Sequence, residues 1–233
     1  GAARQGRGGP LGAADESAAA DLQRLEDVRR ERDADHEALF DSLADDWDAL
    51  RERLLGGRLA PPEMTSLLVP DGLRVVDAGT GTGVLLPWLS EAVGPSGMVV
   101  AIESSARMAD RAAERAAGLA NVEVRRGRIE DLPVPDGWAD AVLLSLSLGH
   151  TADPVEALTR CLRALRPGGR LLVCDVEAHG DETLVRHLGR GFAGFDPDRL
   201  PELLRAAGLE GVRRVEWPAL SPGNGKELAG RPS

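Results

Sequence analysis

The chain has 233 residues, 38 of them acidic and 28 basic, for a formal net charge of -10, and only 3% are aromatic, none of them Tyr. That balance argues against non-specific binding to a phosphate backbone and leaves few platforms on which bases stack. The length suits one sizeable α/β domain with a helical extension, its core built from Leu, Val and Ala. Cys161 and Cys174 match no C-x-x-C pattern and read as small buried thiols of a reduced, cytoplasmic protein. No apolar run approaches the roughly 18–20 residues of a membrane helix, and the N-terminus has no signal-peptide core, so a protein off the membrane is expected. The first residue is Gly1 rather than Met, as expected of a processed chain or a piece of a longer one.

Taken in order, residues 1–14, GAARQGRGGPLGAA, have no periodicity and read as a disordered leader or linker, which we draw to residue 20. From Asp15 to Leu55 the pattern turns helical. Leu22, Leu25 and Val28 make one stripe, and Leu39, Leu43, Trp47, Leu50 and Leu54 another. Two amphipathic helices, or one long bent helix, are predicted as an N-terminal lid or extension over 21–60. The charged block RRERDAD (29–35) marks a solvated face or the break between them.

The main domain, 61–233, is organised around LRVVDAGTGTGVL (73–85). An apolar run meets Asp77 and then glycines at every second position, after which apolar residues recur at helical spacing: a strand, a tight turn and a helix start. Glycine there supplies positive φ and removes Cβ atoms, so a ligand can lie against the backbone at a helix N-terminus. The spacing is G-x-G-x-G, with Val84 where a dinucleotide fingerprint has its third glycine. Asp77 would repel a pyrophosphate and attract a cation.

Strands and helices then alternate. The helix 83–94 carries Pro87 in its first turns and stops at Gly94-Pro95; strand 98–103 ends in Glu103; helix 104–118 takes Ser104 or Ser105 as N-cap. Strand 121–127 follows, then a strand in 139–150 that is apolar enough to be buried on both faces. Asp153-Pro154 opens a helix that closes in RPGG (166–169), and RLLVCDVE is the fifth strand. The tail, 178–217, is expected to hold two helices and a sixth strand, VRRVEW.

VVDAGTGTGVL, the acid Glu103, RIEDLPVPDG and LRPGGRLLVCDVE together resemble the class I S-adenosylmethionine-dependent methyltransferases. The resemblance implies a Rossmann-like class I methyltransferase fold: an α/β domain with a mostly parallel six- or seven-stranded sheet, helices on both faces and N-terminal helices ahead of it. It implies S-adenosyl-L-methionine as cofactor and a small-molecule methyl acceptor. FDSLADDWDALR (40–51) is similar to the helical lid that precedes the first strand in many small-molecule methyltransferases, although Phe40 and Trp47 equally suit core anchors.

By the same resemblance Asp77 holds the ammonium side of the cofactor, through water or the turn, Gly79, Thr80 and Gly81 pass its methionyl part, and Glu103 binds the ribose, with Ser104 beside it. Glu103 lies 24 residues after Gly79, in keeping with that role, while an acid there can also cap the next helix. Met108 would face the adenine or serve as core; Ile129 and either Glu130 or Asp131 would read the ring, since Arg128 stands where the family has aspartate. Ser145 to His150 look like the segment that borders sulfonium and acceptor, with His150 either a general base or a structural histidine. His179, His187, Phe192 and Phe195 would cover the acceptor. No metal is expected. SPGNGKELAGRPS offers nothing for the family's seventh strand.

The N-terminal helices and the segment after strand five, over residues 20–215, are further similar to the methyltransferase-like domains fused behind a winged helix in ArsR-type regulators. Two functions follow. One is methyl transfer to a small molecule; the other is a non-catalytic domain that senses S-adenosylmethionine or its demethylated product. No direct nucleic-acid contact and no membrane contact are expected of this chain, and the charged helix at 21–32 is a surface on which a homodimer can form.

Overall fold

In the computed structural model the described residues are 11–55, 72–182, 185–186 and 193–214. In chain order they form α1 (Leu11–Leu43), α2 (Trp47–Leu55), β1 (Arg74–Ala78), α3 (Leu86–Val93), β2 (Met98–Glu103), α4 (Ala106–Ala116), β3 (Val122–Arg126), β4 (Ala139–Ser145), α5 (Pro154–Ala164), β5 (Leu165–Cys174) and α6 (Arg199–Ala206). Single 3₁₀ turns occupy Ile129–Asp131 and Leu148–His150.

The five strands make one parallel sheet in the order β3-β2-β1-β4-β5. Alternation along the strands divides the core in two. Val76, Ala78, Val100, Ile102, Val142 and Leu144 face α5, where Ala157, Leu158 and Cys161 pack. Their neighbours Val75, Val99, Ala101, Ala141 and Leu143 face the other way, onto Leu86, Leu89 and Val93 of α3. Both faces are apolar because both are covered, the condition for a parallel sheet. Strand order reverses between β1 and β4, and the crevice beyond their carboxyl ends is where such sheets bind ligands.

The helix starts are fixed by local chemistry. Ser105 Oγ accepts from the Met108 N–H at the start of α4, and Asp153 accepts from the N–H groups of Val155 and Glu156, with Pro154 at the first position of α5. At the end of β4 the chain turns sharply: Leu146 takes φ 56°, the left-handed region, and Ser147 Oγ donates to the Ala78 carbonyl (2.8 Å), tying this turn to the end of β1.

Several sequence expectations are corrected. The expected leader over 1–20 is helical from Leu11 onward, and α1 runs unbroken through the charged block 29–35. An exposed helix tolerates charge on all sides, so the block marks a solvated face; the break comes at 44–46, before α2. Among the described residues the sheet has five strands rather than six or seven. Val212–Arg214 carry no strand, and 215–233, with the rest of the expected sixth strand and the place of a seventh, lie outside the described residues, as do His187 and Phe192. β5 takes in the RPGG stretch and stops at Cys174; beyond it only an isolated bridge joins Glu177 to Phe195. No described helix is long and apolar enough to cross a membrane.

Candidate functional site

The turn from β1 to α3 is held almost wholly by backbone groups. Gly79 and Thr80 donate N–H bonds to the Ile102 carbonyl (2.8 and 3.0 Å), which fastens the turn to the end of β2. Gly83 takes φ 76°, and a Cβ on it would lie 2.9 Å from the Ala112 Cα, so the turn meets α4 only because this residue has no side chain. Asp77 is 1% exposed and its Oδ2 accepts from Thr80 Oγ1 (2.7 Å). Burial pushes its carboxyl up to about 6, against the pull of the Thr80 hydroxyl and the Arg51 guanidinium. Glu103 Oε2 accepts from the Gly81 N–H and Oε1 from the Ser105 N–H, both at 2.9 Å. Burial raises this carboxyl as well, opposed by those N–H donors. A third backbone N–H, that of Ser104, also reaches this carboxylate.

α1 and α2 roof this turn. Phe40 and Trp47 meet edge to face, 5.3 Å between centroids, and pack with Met108 in a small cluster of their own. Trp47 Nε1 lies 3.2 Å from where a Cβ on Gly81 would stand, so the indole closes onto the turn. One turn later Arg51, 4% exposed, donates to Ser145 Oγ (2.9 Å) at the end of β4. Its Nε and Asp77 Oδ1 are buried with no protein partner. The two opposite charges attract each other, and loss of water from around the guanidinium lowers its pKa.

The third wall is the β4 turn and the segment after β3. The His150 ring stands edge-on to Phe40 (4.9 Å) and to His36 (6.0 Å), both from α1. Burial, with the charge of His36 nearby, pushes His150 down to about 3, so its imidazole is neutral and a weak base. Glu130 Oε1 accepts from the Ala152 N–H (3.0 Å) and pairs with Arg128 at 3.5 Å. Asp131 is exposed and outside the cavity wall, which separates the two acids that sequence left as alternatives.

These walls border a cleft whose empty space, the open solvent at its mouth included, is about 720 Å³. Of the residues expected there, Gly79, Gly81, Glu103, Ser104 and Met108 line it on one side, and Ile129, Glu130, Ser145 and His150 on the other. Asp77 and Thr80 do not reach the wall; they brace the turn from behind. His179 lies away from it. Sequence reasoning missed Arg51 and His36. The signal for Arg51 was its position four residues after Trp47, which puts both on one helical face. Among the described residues no group of three or more His, Cys, Asp or Glu is arranged to hold a metal.

The donor set fits S-adenosylmethionine. Its methionyl end is a zwitterion, and the cavity presents the buried Arg51 at one end, with Asp77 behind the turn there, and the Glu103 carboxylate, suited to ribose hydroxyls, at the other.

A family model described as "Methyltransferase domain" matches residues 76–173. The chain is 37% identical over 143 residues to the ubiquinone/menaquinone biosynthesis C-methyltransferase UbiE of Pseudomonas savastanoi, covering 59% of this chain and 56% of that protein. It is 44% identical over 102 residues to an uncharacterised 37.1 kDa protein in transposon TN4556 of Streptomyces fradiae, covering 44% of this chain and 30% of that one. It therefore spans about half of one curated relative and a third of the other. A crystal structure of a SAM-dependent methyltransferase from Aquifex aeolicus is similar with a TM-score of 0.57 and 26% identity, over 69% of this chain and 89% of that one. The fold is that of the class I S-adenosylmethionine-dependent methyltransferases, and S-adenosylmethionine is the cofactor these matches identify.

Proposed function

We propose that this domain binds S-adenosylmethionine across the carboxyl ends of β1, β2 and β4 and transfers its methyl group to a small molecule. The observation that carries the reading is the placement, in one cavity, of Glu103 beside the Gly81 turn and of the buried Arg51, whose charge partner Asp77 lies behind that turn. In this reading Glu103 accepts from the ribose hydroxyls and Ser104 stands beside it. Met108, Ile129 and Glu130 bound the adenine. Gly79 and Gly81 let the methionyl chain lie against the backbone, Thr80 and Asp77 hold the turn, and Arg51 receives the carboxylate. Ser145 borders the sulfonium.

The cofactor supplies a methyl group already activated on sulfur. What the protein adds is to hold an acceptor in line at about 3 Å and to keep water out. Phe40, His36, His150 and Leu146 face the space where the acceptor would sit. With its pKa near 3, His150 suits accepting a hydrogen bond from the acceptor better than taking its proton. The free thiols Cys161 and Cys174 agree with a cytoplasmic location. The charged stretch of α1 over 21–32 is where a homodimer would form, which sedimentation would reveal.

A second reading, a non-catalytic sensor of S-adenosylmethionine or S-adenosylhomocysteine in an ArsR-type regulator, is favoured by one observation: the histidine best placed to serve as a base is buried and neutral. One experiment separates the two. Transfer of label from S-adenosylmethionine to a pool of small metabolites, lost in Glu103→Ala, supports the enzyme. Saturable binding without transfer supports the sensor. Glu103→Ala should weaken cofactor binding at least tenfold, about 1.4 kcal/mol; unchanged affinity would remove the ribose assignment.

A further inference from the structure

The segment that brings Phe40, Trp47 and Arg51 into the cavity is fastened from outside by charge. α4 presents Arg107, Arg111 and Arg115 at four-residue spacing, one row along a helix face. Asp41, Asp45 and Asp48 run along the facing edge of α1 and α2. Arg107 donates to the Asp41 carbonyl (2.9 Å) and to Asp45 Oδ2 (2.8 Å), and Arg111 pairs with Asp45 Oδ1. Ser105 Oγ donates to Asp41 Oδ1 (2.5 Å).

The last pair in the row differs from the others because it reaches the glycine turn. Arg115 donates to Asp48 Oδ2 (2.5 Å) and to the Thr82 carbonyl (3.0 Å), and Thr82 Oγ1 donates to Asp48 Oδ1 (2.5 Å). Thr82 is buried between Gly81 and Gly83. Asp48 directly follows Trp47, whose indole closes on Gly81, and precedes Arg51 by one turn. A single carboxylate thus sets the register of two side chains in the cavity relative to the turn they face.

We propose that Asp48 and Arg115 are positioning residues for the cofactor site: their contact with Thr82 holds the α1–α2 segment over the glycine turn, and its opening is the step through which cofactor enters and product leaves. The proposal rests on the cofactor reading above. Because these side chains are 32% and 41% exposed, salt weakens the clasp. Release of S-adenosylhomocysteine then quickens with ionic strength, although that ligand carries no net charge.

The test is the dissociation rate of S-adenosylhomocysteine by stopped-flow displacement at low and high salt. It is read alongside amide hydrogen exchange over residues 41–51 in the ligand-free protein. Wild type, Asp48→Ala, Arg115→Lys and Asp136→Ala are compared; Asp136 pairs with Arg163 on the surface away from the cavity. Asp48→Ala is expected to release ligand about tenfold faster, to lose most of the salt dependence and to exchange faster over 41–51. Arg115→Lys should recover part of each, and Asp136→Ala none of these changes. Exchange over 41–51 that is the same in Asp48→Ala as in wild type would overturn the clasp, as would equal release rates and salt slopes. Wild-type protein that exchanges as described but binds no S-adenosylhomocysteine would overturn the cofactor reading instead.

Discussion

The two sides of the cavity are built by different physics. The sheet side, β1 with its turn and the end of β2, is fixed by backbone hydrogen bonds and by strands buried on both faces. The roof, α1 and α2, touches the domain through a small apolar cluster and a row of partly exposed ion pairs. Interior apolar contacts are worth kilocalories each, while exposed pairs are worth a fraction of one. One side is therefore the more firmly held, and the other is the side whose opening is proposed above to let the ligand exchange.

Three changes would break or sharpen that contrast. Leu143→Ala, at a fully buried position of β4, should cost about 2–5 kcal/mol in urea unfolding; a loss below about 1 kcal/mol would mean the sheet side is not the rigid one. A smaller effect comes from pH. His150 has its folded pKa lowered to about 3 from 6.5, so the unfolded chain binds the extra proton first as pH falls. Its contribution is lost on acidification below about 6.5, by about 2 kcal/mol at pH 5. Asp77 and Asp175, both raised to about 6 by burial, act with the opposite sign in the window between about 4 and 6. Wild-type stability should thus vary little from pH 7.5 to 5, while His150→Asn gains on wild type by about 2 kcal/mol over that range. An identical pH profile for the two proteins would show that the roof leaves this ring in water. The smallest effect is confined to the ligand: Arg51→Ala should weaken S-adenosylhomocysteine about tenfold, roughly 1.4 kcal/mol, yet leave methylthioadenosine, which lacks the amino-acid end, unaffected. Equal losses for both would move Arg51 from ligand contact to general support.

The same contrast explains what sequence could disclose. The β1 turn was legible because its glycines and its apolar run state a backbone geometry directly, and Glu103 was marked by its place at a strand end 24 residues after Gly79. Arg51 was hidden because a charged residue in a charged helix looks solvated; only the packing of Trp47 onto Gly81 turns that face inward. Asp77, read as acting through water or the turn, lies behind that turn, since a carboxylate two residues before the first glycine still lies inside the strand. The row of Asp–Arg pairs joins residues more than sixty positions apart, a relation that no local pattern carries. Among the described residues the sheet has five strands; Val212–Arg214 carry no strand, and the rest of the expected sixth, 215–217, lies outside those residues.

α1 spans 33 residues without a break, a rod of about 50 Å. Its last turns hold His36 and Phe40 against the cavity, and its first turns stand far outside it. As a straight rod it would turn a tilt of about 5° at its last turns into about 4 Å of travel at its first, so any change of angle at the cavity would be read most easily at the end farthest from it.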